Sequence, residues 1–133
     1  MDEKVVQYYR MITREGYKYA GSFEKPSIFI DSVGEKIPIC SKVLTAYVHI
    51  YINISDGIIE DVKYLCTCPP TANVVAEIFC SLTKGKTIKE AEALTEESFS
   101  TALGTEGEEF LKAARGIIEL LHRGLDRYKA GIY

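Results

Sequence analysis

The stretch LTAYVHIYINISDGIIEDVKYL, residues 44–65, decides the fold that we predict for this chain. Up to Ser55, aliphatic side chains alternate with polar or aromatic ones, which is the pattern of a strand with one buried face. Asp56-Gly57 is a strong hairpin turn, and the chain returns as a second strand from Ile58 to about Leu65. We therefore predict an antiparallel hairpin of strands 43–54 and 58–66. The predicted core face carries Leu44, Ala46, Val48, Ile50, Ile52 and Ile54. The opposite, solvent-facing side carries Tyr47, His49, Tyr51 and Asn53.

Helical periodicity and capping signals predict five helices around this hairpin. We expect helices over about 2–19, 72–85, 87–94, 95–104 and 107–128, and an edge strand over 27–31. A capping box of Thr87 and Glu90 is expected to open the helix over 87–94, and one of Thr105 and Glu108 to open the longest helix. Its apolar stripe is Phe110, Ala113, Ala114, Ile117, Leu120, Leu121, Gly124, Leu125 and Tyr128. We expect this stripe to lie on the aliphatic sheet face, giving an α+β two-layer sandwich with helices on one face of a small antiparallel sheet.

Length, composition and charge narrow the class of protein. At 133 residues the chain fits one domain, 1–133, large enough to bury a core of its own. A net charge of −3 with scattered Lys and Arg argues against nucleic acid as a partner. No apolar run approaches the roughly 20 residues that span a bilayer, so no membrane partner is expected. The N-terminus lacks the layout of a secretory signal, and we expect a cytoplasmic protein with reduced thiols.

Three of the four cysteines form a candidate metal site. Cys66 and Cys68 lie between the end of a predicted strand and the N-terminus of a predicted helix, whose positive dipole end favours thiolate. In an extended segment, side chains two positions apart point the same way with Cα atoms roughly 7 Å apart. Cys40 precedes the partner strand, so the hairpin can bring it to the same end of the sheet. Cys80 falls inside the second helix, and we interpret it as a small buried hydrophobe.

The two histidines have structural interpretations that we prefer. His49 lies between two tyrosines on the polar sheet face, which is typical of a surface residue. His122 lies near the C-terminal end of the longest helix, where a partly charged imidazole is mildly stabilising. Neither is included among the candidate ligands.

Several motifs resemble the U-type iron–sulfur cluster assembly scaffolds, the NifU N-terminal and IscU family. They are Val33-Gly34-Glu35 with Pro38-Ile39-Cys40, the turn DGIIEDV at 56–62, and KGKTIKEA at 84–91. The resemblance covers roughly residues 4–128. It implies a NifU/IscU-like fold and an iron–sulfur cluster held by loop cysteines, with Cys40 as the first ligand, Cys68 as the second and Cys66 as a further one. Zinc could take the place of the cluster.

The chain also departs from the family pattern. Lys42 stands where the family has an Asp, and Pro69 falls at the aligned cysteine position, one residue after Cys68. Lys112-Ala113 falls near the late His-Cys pair, and a different segment around 104–107 replaces the chaperone-binding L-P-P-V-K. The fourth ligand is left open between a second subunit, Glu106, Glu108 and an exogenous thiol.

Three functions are compatible with these residues. The first is a scaffold or carrier without catalytic turnover, not an enzyme. The resemblance implies that its partners are a cysteine desulfurase or other sulfur donor and an apo-protein acceptor, with a homodimer as one possible assembly. The second is a degenerate domain without metal, acting as an interaction subunit of a larger complex through the sheet face of Tyr47, His49 and Tyr51. The third, thiol redox chemistry at Cys66 and Cys68, lacks a general base and a C-x-x-C turn. We prefer them in that order.

Overall fold

The computed structural model describes residues 2–39, 46–67 and 70–132. A three-stranded antiparallel sheet in the order β1-β2-β3 carries helices on one face. The α+β architecture predicted from the hairpin pattern is confirmed. The elements in chain order are α1 (Glu3–Glu15), β1 (Ile28–Asp31), β2 (Val48–Ser55), β3 (Ile58–Cys66), α2 (Pro70–Thr83), α3 (Ile88–Glu92), α4 (Glu96–Leu103) and α5 (Glu108–Lys129).

The hairpin of β2 and β3 forms as the alternating pattern predicts. Ile50 lies opposite Tyr64 and Ile52 opposite Val62, with a register shift at Asn53. The turn residues Asp56 and Gly57 have φ values of 52° and 73°, the left-handed conformation that a tight hairpin turn matching the twist of the strands requires.

The aliphatic face of the hairpin is core. Val48, Ile50 and Ile52 are each exposed by 1% or less. We expected α5 to lie on this face of the sheet, and two helices share the layer: α5 packs against β1, and α2 packs against β3 and α5. The physical reason is that α2 buries side chains around most of its circumference, so it fits the middle of the helical layer rather than its rim.

One predicted helix cap is confirmed and another is wrong. The Thr87 hydroxyl accepts from the Glu90 amide at 3.1 Å, and the Glu90 carboxylate accepts from the Thr87 amide at 3.0 Å. The box expected between Thr105 and Glu108 does not form, because α5 begins after Gly107 without a side-chain cap. The Thr105 hydroxyl donates instead to the carboxylate of Asp2, the residue that caps α1.

The outer edge of β3 is paired at two places. Near its C-terminal end, the Tyr64 amide donates to the Tyr19 carbonyl at 3.0 Å, and the Gly21 amide donates to the Tyr64 carbonyl at 2.9 Å. Near its start, the Gly85 amide donates to the Ile59 carbonyl, and the Ile59 amide donates to the Lys86 carbonyl, both at 2.8 Å. The KGKT motif therefore joins the connection between α2 and α3 to the start of β3 by backbone hydrogen bonds, at the turn end of the hairpin.

Within the described ranges, no helix combines the length and the apolar character needed to cross a membrane.

Candidate functional site

The site predicted from the cysteines falls at one end of the sheet, which we call the Cys66 end. There β3 finishes at Cys66, β2 begins at Val48, which lies opposite it, and β1 finishes at Asp31. Thr67 continues the pairing, since its amide donates to the Tyr47 carbonyl and its hydroxyl accepts from the Tyr47 amide, both at 3.1 Å. The segment that leads from β1 to Cys40 and the segment that follows Cys66 therefore both begin at this end of the sheet.

Cys66 is the predicted ligand whose surroundings are described. It is half-buried and lines a shallow cleft of about 200 Å³ between the end of β3, the segment after α1 and the first turn of α2. The other lining residues are Tyr17, Ala20, Tyr64, Leu65 and Asn73. The predictions for Cys40, Cys68, Lys42 and Pro69 lie outside the described residues. Within residues 2–39, 46–67 and 70–132, no group of three or more His, Cys, Asp or Glu side chains could hold a metal ion.

Residues 31–39, which we call the arm, form a compact turn that leads to Cys40. The Asp31 carboxylate accepts from the amides of Val33 and Gly34, each at 3.2 Å, and so caps a single helical turn. Two backbone hydrogen bonds close that turn. The Lys36 amide donates to the Val33 carbonyl at 3.1 Å, and the Ile37 amide donates to the Ser32 carbonyl at 3.0 Å. This pair of bonds is a Schellman motif, and Lys36 takes its left-handed position with a φ of 60°.

The arm is attached to α5 by two contacts. Glu35 accepts from Arg127 at 2.6 Å, while Arg123 lies 3.5 Å from the same carboxylate and donates to the Glu35 carbonyl at 2.8 Å. The hydrogen bond from Arg127 is the main reason that the pKa of Glu35 is lowered. At the far end of the arm, Ile39 is buried against Gly116. The residues that precede Cys40 therefore rest on the longest helix.

A second carboxylate connects α5 to the start of α2. The Thr71 hydroxyl, in the first turn of α2, donates to the Glu109 carboxylate at 3.2 Å. Glu109 was not among the predicted ligands, because only this contact across 38 residues distinguishes it from its neighbours. Glu108, which was among them, forms an ion pair with Arg115 at 2.5 Å, and Glu106 is exposed.

The open sheet face carries a packed ring cluster instead of isolated surface residues. The His49 ring stacks on Tyr47 with centroids 4.1 Å apart, and its edge meets Phe29 at 5.2 Å. Its Nε2 atom lies 3.2 Å from Asp31, the residue that caps the arm. With 26% of its side chain exposed, His49 is more buried than a simple surface residue. His122 has a structural contact, from Nε2 to the Glu92 carbonyl at 3.1 Å.

Glu77, Tyr64 and Cys80 form a buried cluster that the sequence patterns did not indicate. Glu77 is 2% exposed and accepts from the Tyr19 amide at 3.3 Å. The Tyr64 hydroxyl is buried beside the Glu77 carboxylate without forming a well-aligned hydrogen bond, and its burial, together with that nearby carboxylate, raises its pKa. Cys80 is fully buried, and burial raises the pKa of its thiol well above the usual value. The interpretation of Cys80 as a buried hydrophobe is confirmed.

Comparison with known sequences gives a family and two relatives. A family model described as NifU-like N terminal domain matches residues 6–132. The iron-sulfur cluster assembly scaffold proteins IscU 1 and IscU 2 of Archaeoglobus fulgidus are each 34% identical to this chain over 67 residues. That region is 50% of this chain, and it spans only 41% of the length of each relative.

Solved structures show the same fold at low sequence identity. A NifU-like N-terminal protein from Brucella abortus superposes with a TM-score of 0.65 at 10% identity, covering 97% of this chain and 94% of its own. A putative iron-sulfur cluster assembly scaffold for the SUF system from Fervidobacterium islandicum AW-1 gives 0.61 at 16% identity, covering 94% and 96%. With the match over 6–132, this chain belongs to the family of NifU-like N-terminal domains.

Proposed function

We propose that this chain is an iron–sulfur cluster assembly scaffold without catalytic turnover of its own. It receives sulfur from a donor such as a cysteine desulfurase and passes the cluster to an apo-protein acceptor. The observation that supports this most is membership of the NifU-like family over residues 6–132. The arm and the β3–α2 connection both begin at the Cys66 end, which adds support because Cys40 follows the arm and Cys66 and Cys68 lie at the start of and within that connection.

The proposed ligands are Cys40, Cys66 and Cys68. Thiolates are the usual ligands of iron–sulfur clusters, and the start of α2 at Pro70 directs a positive dipole end toward the connection that holds two of them. Proline suits this first helical position, since its missing amide hydrogen would have had no helical partner there. In the sequence, Lys42 adds a positive charge two residues after Cys40, and an ammonium there would stabilise thiolate and offset the negative charge of a thiolate-bound cluster.

For the remaining iron position we favour Glu109 among the carboxylates of this chain. Its contact with Thr71 keeps it beside the first turn of α2, whereas Glu108 is engaged by Arg115. An oxygen ligand next to soft thiolates binds the iron less firmly and would ease release of the cluster. A second subunit or an exogenous thiol remains the alternative source, and zinc the alternative metal.

Anaerobic reconstitution tests the proposal. The wild type and the variants Cys40→Ala, Cys66→Ala, Cys68→Ala and Cys80→Ala are incubated with iron and sulfide, then assayed for both elements, for zinc and for visible absorbance. We expect the wild type and Cys80→Ala to hold equal amounts of cluster, Cys40→Ala and Cys68→Ala to hold none, and Cys66→Ala to hold less. Equal iron and sulfide in the wild type and Cys40→Ala would reject the scaffold proposal.

A matched pair of variants tests whether Glu109 is a ligand. Glu109→Gln should lose its cluster faster to apo-ferredoxin than wild type does, while Glu108→Gln, one residue away, should behave like wild type. Indistinguishable transfer rates for the two variants would remove Glu109 from the ligand set and leave the three thiolates.

A further inference from the structure

We propose that Gly116 is a positioning residue for cluster binding, because the arm rests on α5 at this glycine immediately before Cys40. The proposal rests on the scaffold function and adds to it a residue of α5 that is not itself a ligand. Its basis is a close approach between two described elements, at the point where the chain leads into the first ligand.

A side chain at Gly116 fits only if Ile39 shifts. A Cβ atom built there would lie 2.9 Å from Ile39 Cγ1, 3.5 Å from Ile37 Cγ2 and 3.9 Å from the Ile39 Cα. Ile39 is 7% exposed, so it has little room to move outward without losing its buried contacts. An added methyl group would therefore push the arm away from α5.

Conformational freedom does not explain this glycine. Gly116 lies inside α5, which runs from Glu108 to Lys129, and glycine weakens a helix interior relative to alanine. The chain has a less favourable helix residue at the point where Ile39 approaches the helix. Close approach of the arm is the physical reason that fits.

The arm is short and fixed at both ends, so a shift at Gly116 is transmitted along it. Glu35 holds one end through Arg127 and Arg123, and the Schellman motif joins that end to Ile37 by backbone hydrogen bonds. Cys40 follows Ile39 by a single peptide, which is about 3.8 Å between Cα atoms. Displacing Ile39 must therefore displace the attachment point of the first proposed ligand.

Cluster retention in two single variants and their combination tests the proposal. Gly116→Ala adds the methyl group, Ile39→Ala removes the atom that it meets, and the double variant has the methyl group without the clash. Each protein is reconstituted anaerobically, and loss of visible absorbance to an iron chelator is followed. Alkylation of Cys40 in the apo-protein, measured by peptide mass spectrometry, reports the arm without any cluster. Protection of the buried Cys80 thiol reports that the variant is folded.

We expect Gly116→Ala to lose its cluster at least about fivefold faster than wild type. This factor corresponds to an overpacking cost of about 1 kcal/mol, the low end of the usual range. Its Cys40 should be alkylated faster while Cys80 stays protected. The double variant should recover most of the retention, which general destabilisation of α5 would not produce. Wild-type retention in Gly116→Ala, or no recovery in the double variant, would overturn the proposal.

If Gly116→Ala fails to protect Cys80, Ile39→Ala alone decides, since it loosens the same contact from the arm side. Faster cluster loss then supports the positioning role, and wild-type retention overturns it. Failure of the scaffold function itself gives a different result, because the wild type would then hold no more cluster than Cys40→Ala.

Discussion

Replacing Lys36 by glycine should stabilise the protein. Lys36 is exposed and has a φ of 60° at the left-handed position of the arm. An L-residue with a Cβ atom costs roughly 1–2 kcal/mol in that conformation. Glycine removes this cost but loses roughly 0.5–1 kcal/mol more backbone entropy on folding. Taking the middle of each range, the expected net gain in the free energy of unfolding is about 0.75 kcal/mol, which for a domain of this length raises Tm by about 2–4 °C.

Two control variants separate the backbone effect from the loss of the lysine side chain. Lys36→Ala removes the same charge and keeps the Cβ atom, so it should leave Tm unchanged. Asp56→Gly alters the other described non-glycine residue with a positive φ, at 52°, but Asp tolerates this conformation better and the gain should be smaller. Thermal unfolding of the apo-proteins by circular dichroism measures all three. An equal rise for Lys36→Gly and Lys36→Ala, or no rise for Lys36→Gly, would refute the reasoning.

Three further predictions concern ionisable and polar groups. Because the pKa of Glu35 is lowered, its pairing with Arg127 stabilises the fold above the usual pKa of 4.5 and is lost as pH falls through the folded value. Urea unfolding should thus find Glu35→Gln less stable than wild type at pH 7, with the difference disappearing in acid; a constant difference would contradict this. Tyr64→Phe removes a buried hydroxyl that lies beside Glu77 without a well-aligned hydrogen bond, and it should raise the free energy of unfolding by about 1 kcal/mol. A fall would mean that the hydroxyl donates to Glu77 after all. Iodoacetamide should modify the half-buried Cys66 in the native protein and Cys80 only in denaturant; native modification of Cys80 would refute its burial.

The elements with a strong local signal were predictable from sequence. The period-two alternation and Asp56-Gly57 gave the hairpin with its turn, and α5 was expected over 107–128 and runs from Glu108 to Lys129. The first helix was expected over about 2–19, and α1 runs from Glu3 to Glu15. In each case one periodic face or one turn residue carries the information, so no distant contact is needed.

Features that depend on distant partners were not predictable in this way. Glu35 and Arg127 are 92 positions apart, and nothing local marks them as a pair. Thr105 and Glu108 have the spacing of a capping box, but Asp2 takes the threonine hydroxyl, so a tertiary contact outweighs the local preference. Glu109 and Gly116 gain their significance only from what packs against α5. Of the candidate cysteines, Cys66 lies at the predicted strand end, and the predictions for Cys40 and Cys68 remain predictions.

The pairing of the KGKT motif with the start of β3 separates two properties of this domain. Lys84-Gly85-Lys86 lies against Ile59 at the turn end of the hairpin, the length of β3 away from Cys66. The KGKT motif therefore has a structural role at the turn end of the hairpin, far from the cluster site that we propose. Substitutions at the Cys66 end, where we propose that a cluster binds, therefore leave the backbone pairing at the turn end of the hairpin intact.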